Sequence, residues 1–315
     1  MDIVLLFPGQ GSQKPGMGRD LADAHASARE VFGAVDAALG VPLSRLCFDG
    51  PAEELTLTHN AQPALLAHGA AAWASVRDAI EPLVRAAAGH SLGEFTAYHA
   101  ADALSLVDAA RLVRRRGELM FRSGEERPGA MAALLGDPSR PIEEICDEAS
   151  RDAGLVVPAN YNSPGQLVIS GEVAGVERAM ELAKASGVKK AVRLNVSGAF
   201  HSPLMTPALD GLRAALDAAT VRDARVPVYA NVNAEPVTAS ARARELLAQQ
   251  LVSPVRWIEV VQALAAQFPD ALFVEMGPGA VLSGLVKKIT PGVQTATCGT
   301  AAEVDALLER AAANA

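Results

Sequence analysis

The first apolar run of the chain, Ile3 to Phe7, is unbroken and ends on Pro8-Gly9. A run without polar alternation predicts a strand buried on both faces and closed by a turn. Helical periodicity follows over 18–39 and 61–80. A second short apolar segment, Leu83 to Gly89, ends on glycine and gives way to a helix from Leu92. Another helix is expected over about 106–122, and two more over 207–217 and 241–251. A strand over Ala271 to Met276 closes on Gly277-Pro278-Gly279 and precedes a helix over Val281 to Ile289. Strands alternating with helices predict a mostly parallel sheet covered on both faces.

Residues 129–197 have a different rhythm. Strands are expected over Ala130–Leu135, Val156–Asn160, Gln166–Ser170 and Lys190–Val196, with helices over Pro141–Ala153 and Val173–Ser186. Tyr161-Asn162-Ser163-Pro164-Gly165 is a turn sequence between the middle two strands. The order βαββαβ is the ferredoxin-like pattern. The fold class expected is therefore α/β. An α/β-hydrolase-like parallel-sheet core is formed by residues 1–128 and 198–315, with a small ferredoxin-like subdomain, 129–197, inserted into it.

Composition agrees with a large core: half of the 315 residues are apolar, and only 4% are aromatic. The net charge is −8, and Arg114-Arg115-Arg116 is the only basic run. A nucleic-acid partner is therefore not expected. The three cysteines, Cys47, Cys146 and Cys298, are widely spaced. They suggest neither a disulfide framework nor a metal pattern, which points to a reducing, cytoplasmic compartment. The six histidines also lack a zinc spacing. The N-terminal apolar run is too short for a signal peptide, and no stretch has the length of a membrane span.

Ser91 is the candidate nucleophile. Gly89-His90-Ser91-Leu92-Gly93 lies between an apolar strand and a helix, the setting of a nucleophile elbow. The elbow exposes the hydroxyl, needs glycine on both sides, and puts the serine at a helix N-terminus that can stabilise an oxyanion. An ordinary Gly/Ser turn is the bland alternative. His90 is a poor base for Ser91, because successive side chains diverge. His201, in the loop after the inserted subdomain, is the better one, although a lone histidine is more often structural. Asp210, downstream, gives no reason to be a triad acid; a backbone carbonyl can orient the imidazole instead.

Arg116 has Leu112, Val113, Leu119 and Met120 at its i±3 and i±4 positions, so it sits on the apolar stripe of its helix. A buried guanidinium needs an anionic partner. That partner is either a structural carboxylate or the carboxylate of a substrate. The loop Pro8-Gly9-Gln10-Gly11-Ser12-Gln13 fits no nucleotide-binding pattern. It can instead give a second oxyanion donor, the backbone N–H of Gln10.

These motifs stand with Gln62-Pro63-Ala64-Leu65, Glu94, Arg116-Gly117, Asn160, Asn162-Ser163-Pro164-Gly165-Gln166, Phe200-His201-Ser202 and Ser253-Pro254-Val255. The set resembles the malonyl-CoA:acyl carrier protein transacylases and their polyketide synthase relatives over nearly the whole chain. The resemblance implies ping-pong transfer of malonyl from malonyl-CoA to the phosphopantetheine thiol of acyl carrier protein, in fatty acid synthesis. It implies Ser91 as nucleophile and His201 as base, and Gln10 and Leu92 as oxyanion donors. Arg116 would hold the malonyl carboxylate, and the Gln250 carbonyl would orient His201. Phe200, with Met120, would shape the acyl pocket; an aromatic ring there goes with malonyl over methylmalonyl.

No metal and no bound cofactor is implied, and a monomer is expected. Contacts to CoA or the carrier are expected from Asn162 and from a basic patch, Lys189-Lys190 with Arg193, or else Lys287-Lys288. Solvated surface lysines are an equally good reading of these. Tyr98, His99 and Asp102 depart from the small or apolar residues and glycine usual there, which puts the packing of that helix in question. The alternatives are a stand-alone malonyl acyltransferase serving a polyketide synthase, an α/β-hydrolase esterase or thioesterase, and a non-catalytic interaction module.

Overall fold

β1 (Ile3–Phe7) is buried at every residue. In the computed structural model, which describes residues 1–313, its alternate side chains enter two different cores. Ile3, Leu5 and Phe7 pack on one face of the sheet and Val4 and Leu6 on the other, as the two-residue period of a strand requires. A continuous apolar run is thus explained by burial on both sides.

The helix expected over 18–39 is two helices, α1 (Arg19–Ala24) and α2 (Ala26–Leu39). The extended backbone of His25 (φ −119°, ψ 122°) ends the first and begins the second. Two further helices, α3 (Leu43–Asp49) and α4 (Ala52–Thr56), are too short to carry a readable period. α5 (Thr58–Ile80), β2 (Val84–Gly89), α6 (Gly93–Ala100) and α7 (Leu106–Glu126) follow. α7 is capped by Ser105, whose hydroxyl accepts from the Asp108 N–H.

β3 (Gly129–Leu135), α8 (Ile142–Asp152), β4 (Val156–Ser163), β5 (Gln166–Glu172), α9 (Val173–Ala185) and β6 (Lys190–Arg193) make a βαββαβ unit. Its sheet is antiparallel throughout, in the spatial order β4-β5-β3-β6. β4 runs three residues past the expected Asn160, so the turn shrinks to Pro164-Gly165, with Gly165 at φ 73°. β6 ends at Arg193, short of the expected Val196. Leu194 to Val196 leave the sheet and line the cavity described below.

The rest of the chain is α10 (Thr206–Ala218), β7 (Val228–Tyr229), β8 (Pro236–Val237), α11 (Ser240–Gln249), α12 (Trp257–Gln267), β9 (Leu272–Met276), α13 (Val281–Ile289), β10 (Gln294–Cys298) and α14 (Ala301–Ala312). The larger sheet has the order β10-β9-β1-β2-β7-β8. Its pairings are parallel except at the edge, where β8 runs against β7. The fold is thus mixed α/β, with a parallel sheet and a separate antiparallel one. No helix among the described residues is long and apolar enough to cross a membrane.

Of the three unusual residues after the elbow, His99 and Asp102 find polar partners, while the buried Tyr98 hydroxyl has none among the described residues. Tyr98 is fully buried, and His99 Nδ1 lies 3.1 Å from the Leu104 carbonyl oxygen. Asp102 holds the left-handed backbone that a glycine would take (φ 62°), and its carboxylate pairs with Arg77 at 2.9 Å and Arg225 at 3.4 Å.

Candidate active site

Ser91 sits two residues past the carboxyl end of β2, next to the loop that leaves β1, where open parallel sheets place their ligands. The turn is sterically severe. A Cβ on Gly89 would lie 1.9 Å from the Gly93 carbonyl carbon, and one on Gly93 would lie 2.1 Å from the Phe7 carbonyl oxygen. Only glycine lets helix α6 approach the two strands this closely. Ser91 itself holds φ 52°, the strained conformation of an elbow.

The Ser91 hydroxyl meets two groups. His201 Nε2 lies 2.8 Å away, and Arg116 Nη2 donates to it at 3.1 Å. The other ring nitrogen, Nδ1, faces two carbonyl oxygens, of Gln250 at 3.0 Å and Ser253 at 3.2 Å. Carbonyl oxygens only accept, so Nδ1 carries the proton and Nε2 is left free to take one from Ser91. Burial, then the charge of Arg116, pushes the imidazole down to about 3. A neutral base facing a hydroxyl can activate it for attack on an acyl carbon.

Arg116 is buried, and Nη1 donates to Gln62 Oε1 at 2.8 Å while Nη2 also donates to Gln250 Oε1 at 2.9 Å. No carboxylate lies within salt-bridge distance of it among the described residues. Burial lowers it to about 10, and the charge of Glu94 works in the opposite direction. It is thus a cation in a cavity with only neutral direct partners. Phe95 lies beneath it, its ring centroid 5.7 Å from the guanidinium carbon.

The cavity has a volume of about 360 Å³. Its lining mixes polar groups, Gln10, Ser91, Arg116, Asn162 and His201, with apolar side chains, Met120, Met131, Val168, Leu194 and Phe200. A second cavity of about 430 Å³ shares Gln10, Thr56, Asn195 and Val196 with it. Leu92 is the N-cap of α6, so its N–H lies at the positive end of that helix.

Asn162 is in the cavity wall, but its Oδ1 accepts from His90 Nε2 at 2.8 Å. His90 accordingly turns away from Ser91 and lies against Trp257. Lys189 and Lys190 do not line this cavity. They are exposed at the start of β6, the opposite end from Leu194, because the strand carries them away from the cavity.

Three side chains near Ser91 carry no signal that periodicity detects. Asn231, after β7, accepts from the Ser91 N–H at 2.7 Å and donates to the Gly89 carbonyl at 2.7 Å. Glu94, fully buried, accepts from the Asn231 N–H and from Gln250 Nε2. Gln62 holds Arg116. Gln62 and Glu94 belong to the motifs that carry the family resemblance, whereas nothing in the sequence marks Asn231.

The elbow, the histidine and the arginine coincide with a known domain: a model of the acyl transferase domain matches residues 4–308. The chain belongs to the acyl transferase family. Within it, the chain is 48% identical over 294 residues to the malonyl CoA-acyl carrier protein transacylase of Bacillus subtilis, covering 93% of this chain and 92% of that one. The crystal structure of an acyl-carrier-protein S-malonyltransferase from Bartonella henselae superposes with a TM-score of 0.94 at 42% identity, covering 99% and 100% of the two chains. A malonyl-transacylase solved in complex with a type II polyketide synthase acyl-carrier protein gives 0.94 at 38% identity, covering 98% and 100%. The chain is thus a member of the transacylase branch of the acyl transferases.

Proposed function

We propose that the chain transfers malonyl from malonyl-CoA to the phosphopantetheine thiol of acyl carrier protein through a malonyl-Ser91 intermediate. The observation that carries this reading is Arg116: a buried cation with no carboxylate in direct contact, its Nη2 3.1 Å from Ser91 Oγ. A carboxylate-bearing acyl group bound there completes its charge pairing.

His201 Nε2 takes the Ser91 proton as Oγ attacks the thioester carbon. The backbone N–H groups of Gln10 and Leu92 hold the developing oxyanion. The intermediate collapses with cleavage of the C–S bond, and the CoA sulfur takes the proton from His201. The carrier thiol then gives its proton to His201 and attacks malonyl-Ser91, and the proton returns to Oγ as the ester breaks. The Gln250 and Ser253 carbonyls keep the imidazole oriented throughout. Arg116 holds the malonyl carboxylate, and Phe200 with Met120 fills the space beside it.

The division into a hydrolase-like domain, 1–128 with 198–315, and a ferredoxin-like subdomain, 129–197, is supported by the separate core of the latter. Ala130, Leu134, Ile145, Ile169, Val176 and Val188 belong to a cluster distinct from the other two. A cytoplasmic location agrees with three buried, unpaired cysteines.

Incubation with malonyl-CoA and holo acyl carrier protein tests the reading. Malonyl-carrier protein is the expected product; free malonate, with the carrier unmodified, would mark a thioesterase instead. The likeness to a transacylase bound to a polyketide carrier supports service to a polyketide synthase as a second reading. Relative kcat/KM for fatty acid and polyketide carriers separates the two.

A further inference from the structure

Glu94 lies three residues past the nucleophile and is fully buried. Its Oε2 accepts two hydrogen bonds, from Gln250 Nε2 at 2.7 Å and from the Asn231 N–H at 3.0 Å. Gln250 Nε2 also donates to the Ser91 carbonyl at 2.9 Å. With its amide nitrogen committed on that side, Gln250 presents its oxygen to Arg116, which donates to it at 2.9 Å. One glutamine side chain therefore separates Glu94 from the guanidinium. Glu94 is also the acidic group whose charge acts on Arg116.

The surroundings of Glu94 add few other charges. Tyr98 lies one turn on along α6 and feels the Glu94 charge, with Arg242 of α11 acting on that phenol. α7 contributes Arg116, and the segments that bring Gln250 and Asn231 contribute neutral amides.

We propose that Glu94 is a positioning residue for malonyl transfer: it is the resident counter-charge of Arg116, set through Gln250, and competes with the incoming acyl carboxylate for that guanidinium. This rests on the reading of Arg116 as the carboxylate-binding group. When Glu94 is ionised, the buried pair is already neutral, and a malonyl carboxylate adds a negative charge without compensation. When Glu94 is protonated, Arg116 is unbalanced and grips that carboxylate. Burial pushes the Glu94 carboxyl up to about 7, so both forms are populated near neutrality. The sign follows: malonyl is held tightly below that pH and more loosely above it. A tempered grip lets the acyl group that enters in the first half-reaction leave in the second.

The test is the KM for malonyl-CoA and for acetyl-CoA between pH 6 and pH 8. In the unmodified enzyme, the malonyl-CoA KM is expected to rise about three- to tenfold over this range, relative to acetyl-CoA. Acetyl-CoA, lacking the carboxylate, corrects for titration of the CoA phosphate. Glu94→Gln keeps the shape and one acceptor oxygen for both donors while removing the charge. Its malonyl-CoA KM is expected to stay at the low-pH value throughout.

The proposal is overturned by a malonyl-to-acetyl KM ratio that does not move with pH, by a slope that persists in Glu94→Gln, or by an equal rise in both KM values in that variant. The profile of the unmodified enzyme decides alone should the variant fail to fold. Mass analysis of malonyl-Ser91 on the same samples separates two failures. An adduct with a flat profile removes only the role of Glu94, whereas no adduct removes the reading of the site beneath it.

Discussion

His201 Nε2 lies 2.8 Å from Ser91 Oγ, and both residues hold left-handed backbone, at φ 57° and 52°. Backbone strain of this kind clusters at active sites, and here it supports the proposed pairing of Ser91 with His201. His201→Ala is expected to lower kcat by about 10²- to 10⁴-fold. The base works when neutral, and it charges only as pH falls toward about 3. The kcat for transfer should therefore stay level from pH 7 to pH 5, measured with saturating malonyl-CoA. A fall centred on pH 6.5 would mean an ordinary imidazole.

Arg116 predicts a split between substrates. Arg116→Ala should lower kcat/KM for malonyl-CoA by about 10- to 150-fold, the worth of a hydrogen bond to a charged group. Transfer from acetyl-CoA should change far less. Arg116→Lys keeps a charge but loses the planar fork, so it should recover only part of the malonyl preference.

Phe200, next to His201 in the chain, lines the cavity with it. Phe200→Ala opens room for an α-methyl group. The preference for malonyl-CoA over methylmalonyl-CoA should fall by about tenfold, since one methyl is worth about 1–3 kcal/mol. Competition between the two thioesters, read by mass on the acylated enzyme, measures it.

Asn231 ties down the elbow from both sides, through the Ser91 N–H and the Gly89 carbonyl. Asn231→Ala leaves both groups without their partner, at about 1–3 kcal/mol for each that stays unsatisfied. A lower Tm and a lower kcat are expected together, whereas KM for malonyl-CoA should change little because Arg116 keeps its place. Thermal unfolding and steady-state kinetics on the same preparation check this.

Much of the frame is legible in the sequence because burial writes itself into residue order. β1 is an unbroken apolar run since both of its faces are covered, and the elbow announces itself since nothing larger than glycine fits at 89 and 93. Arg116 stands out because a cation on an apolar stripe needs a reason. Elements escape where their order carries no period. β7 and β8 have two residues each, and β10, with Gln294, Thr295 and Thr297, is a half-buried edge. The pattern also leaves α12 and α14 unassigned.

The polar scaffold of the site is the least legible part. Asn231 reaches Ser91 across 140 positions of chain, and Gln250 across 159. Pairings of that span depend on how loops meet, and no local pattern encodes them. His201 is found from the motif around it rather than from its spacing to Ser91. Lys189 and Lys190 do not line the cavity; they are exposed at the start of β6, where a carrier contact and a solvated surface pair look the same in the sequence.

The central claim is a covalent malonyl group on Ser91. Intact-mass measurement after mixing the enzyme with malonyl-CoA tests it most directly. A single malonyl adduct is expected, absent in Ser91→Ala and discharged by holo acyl carrier protein. An unmodified mass with malonyl-CoA and every other acyl-CoA, or an adduct that persists in Ser91→Ala, would contradict it.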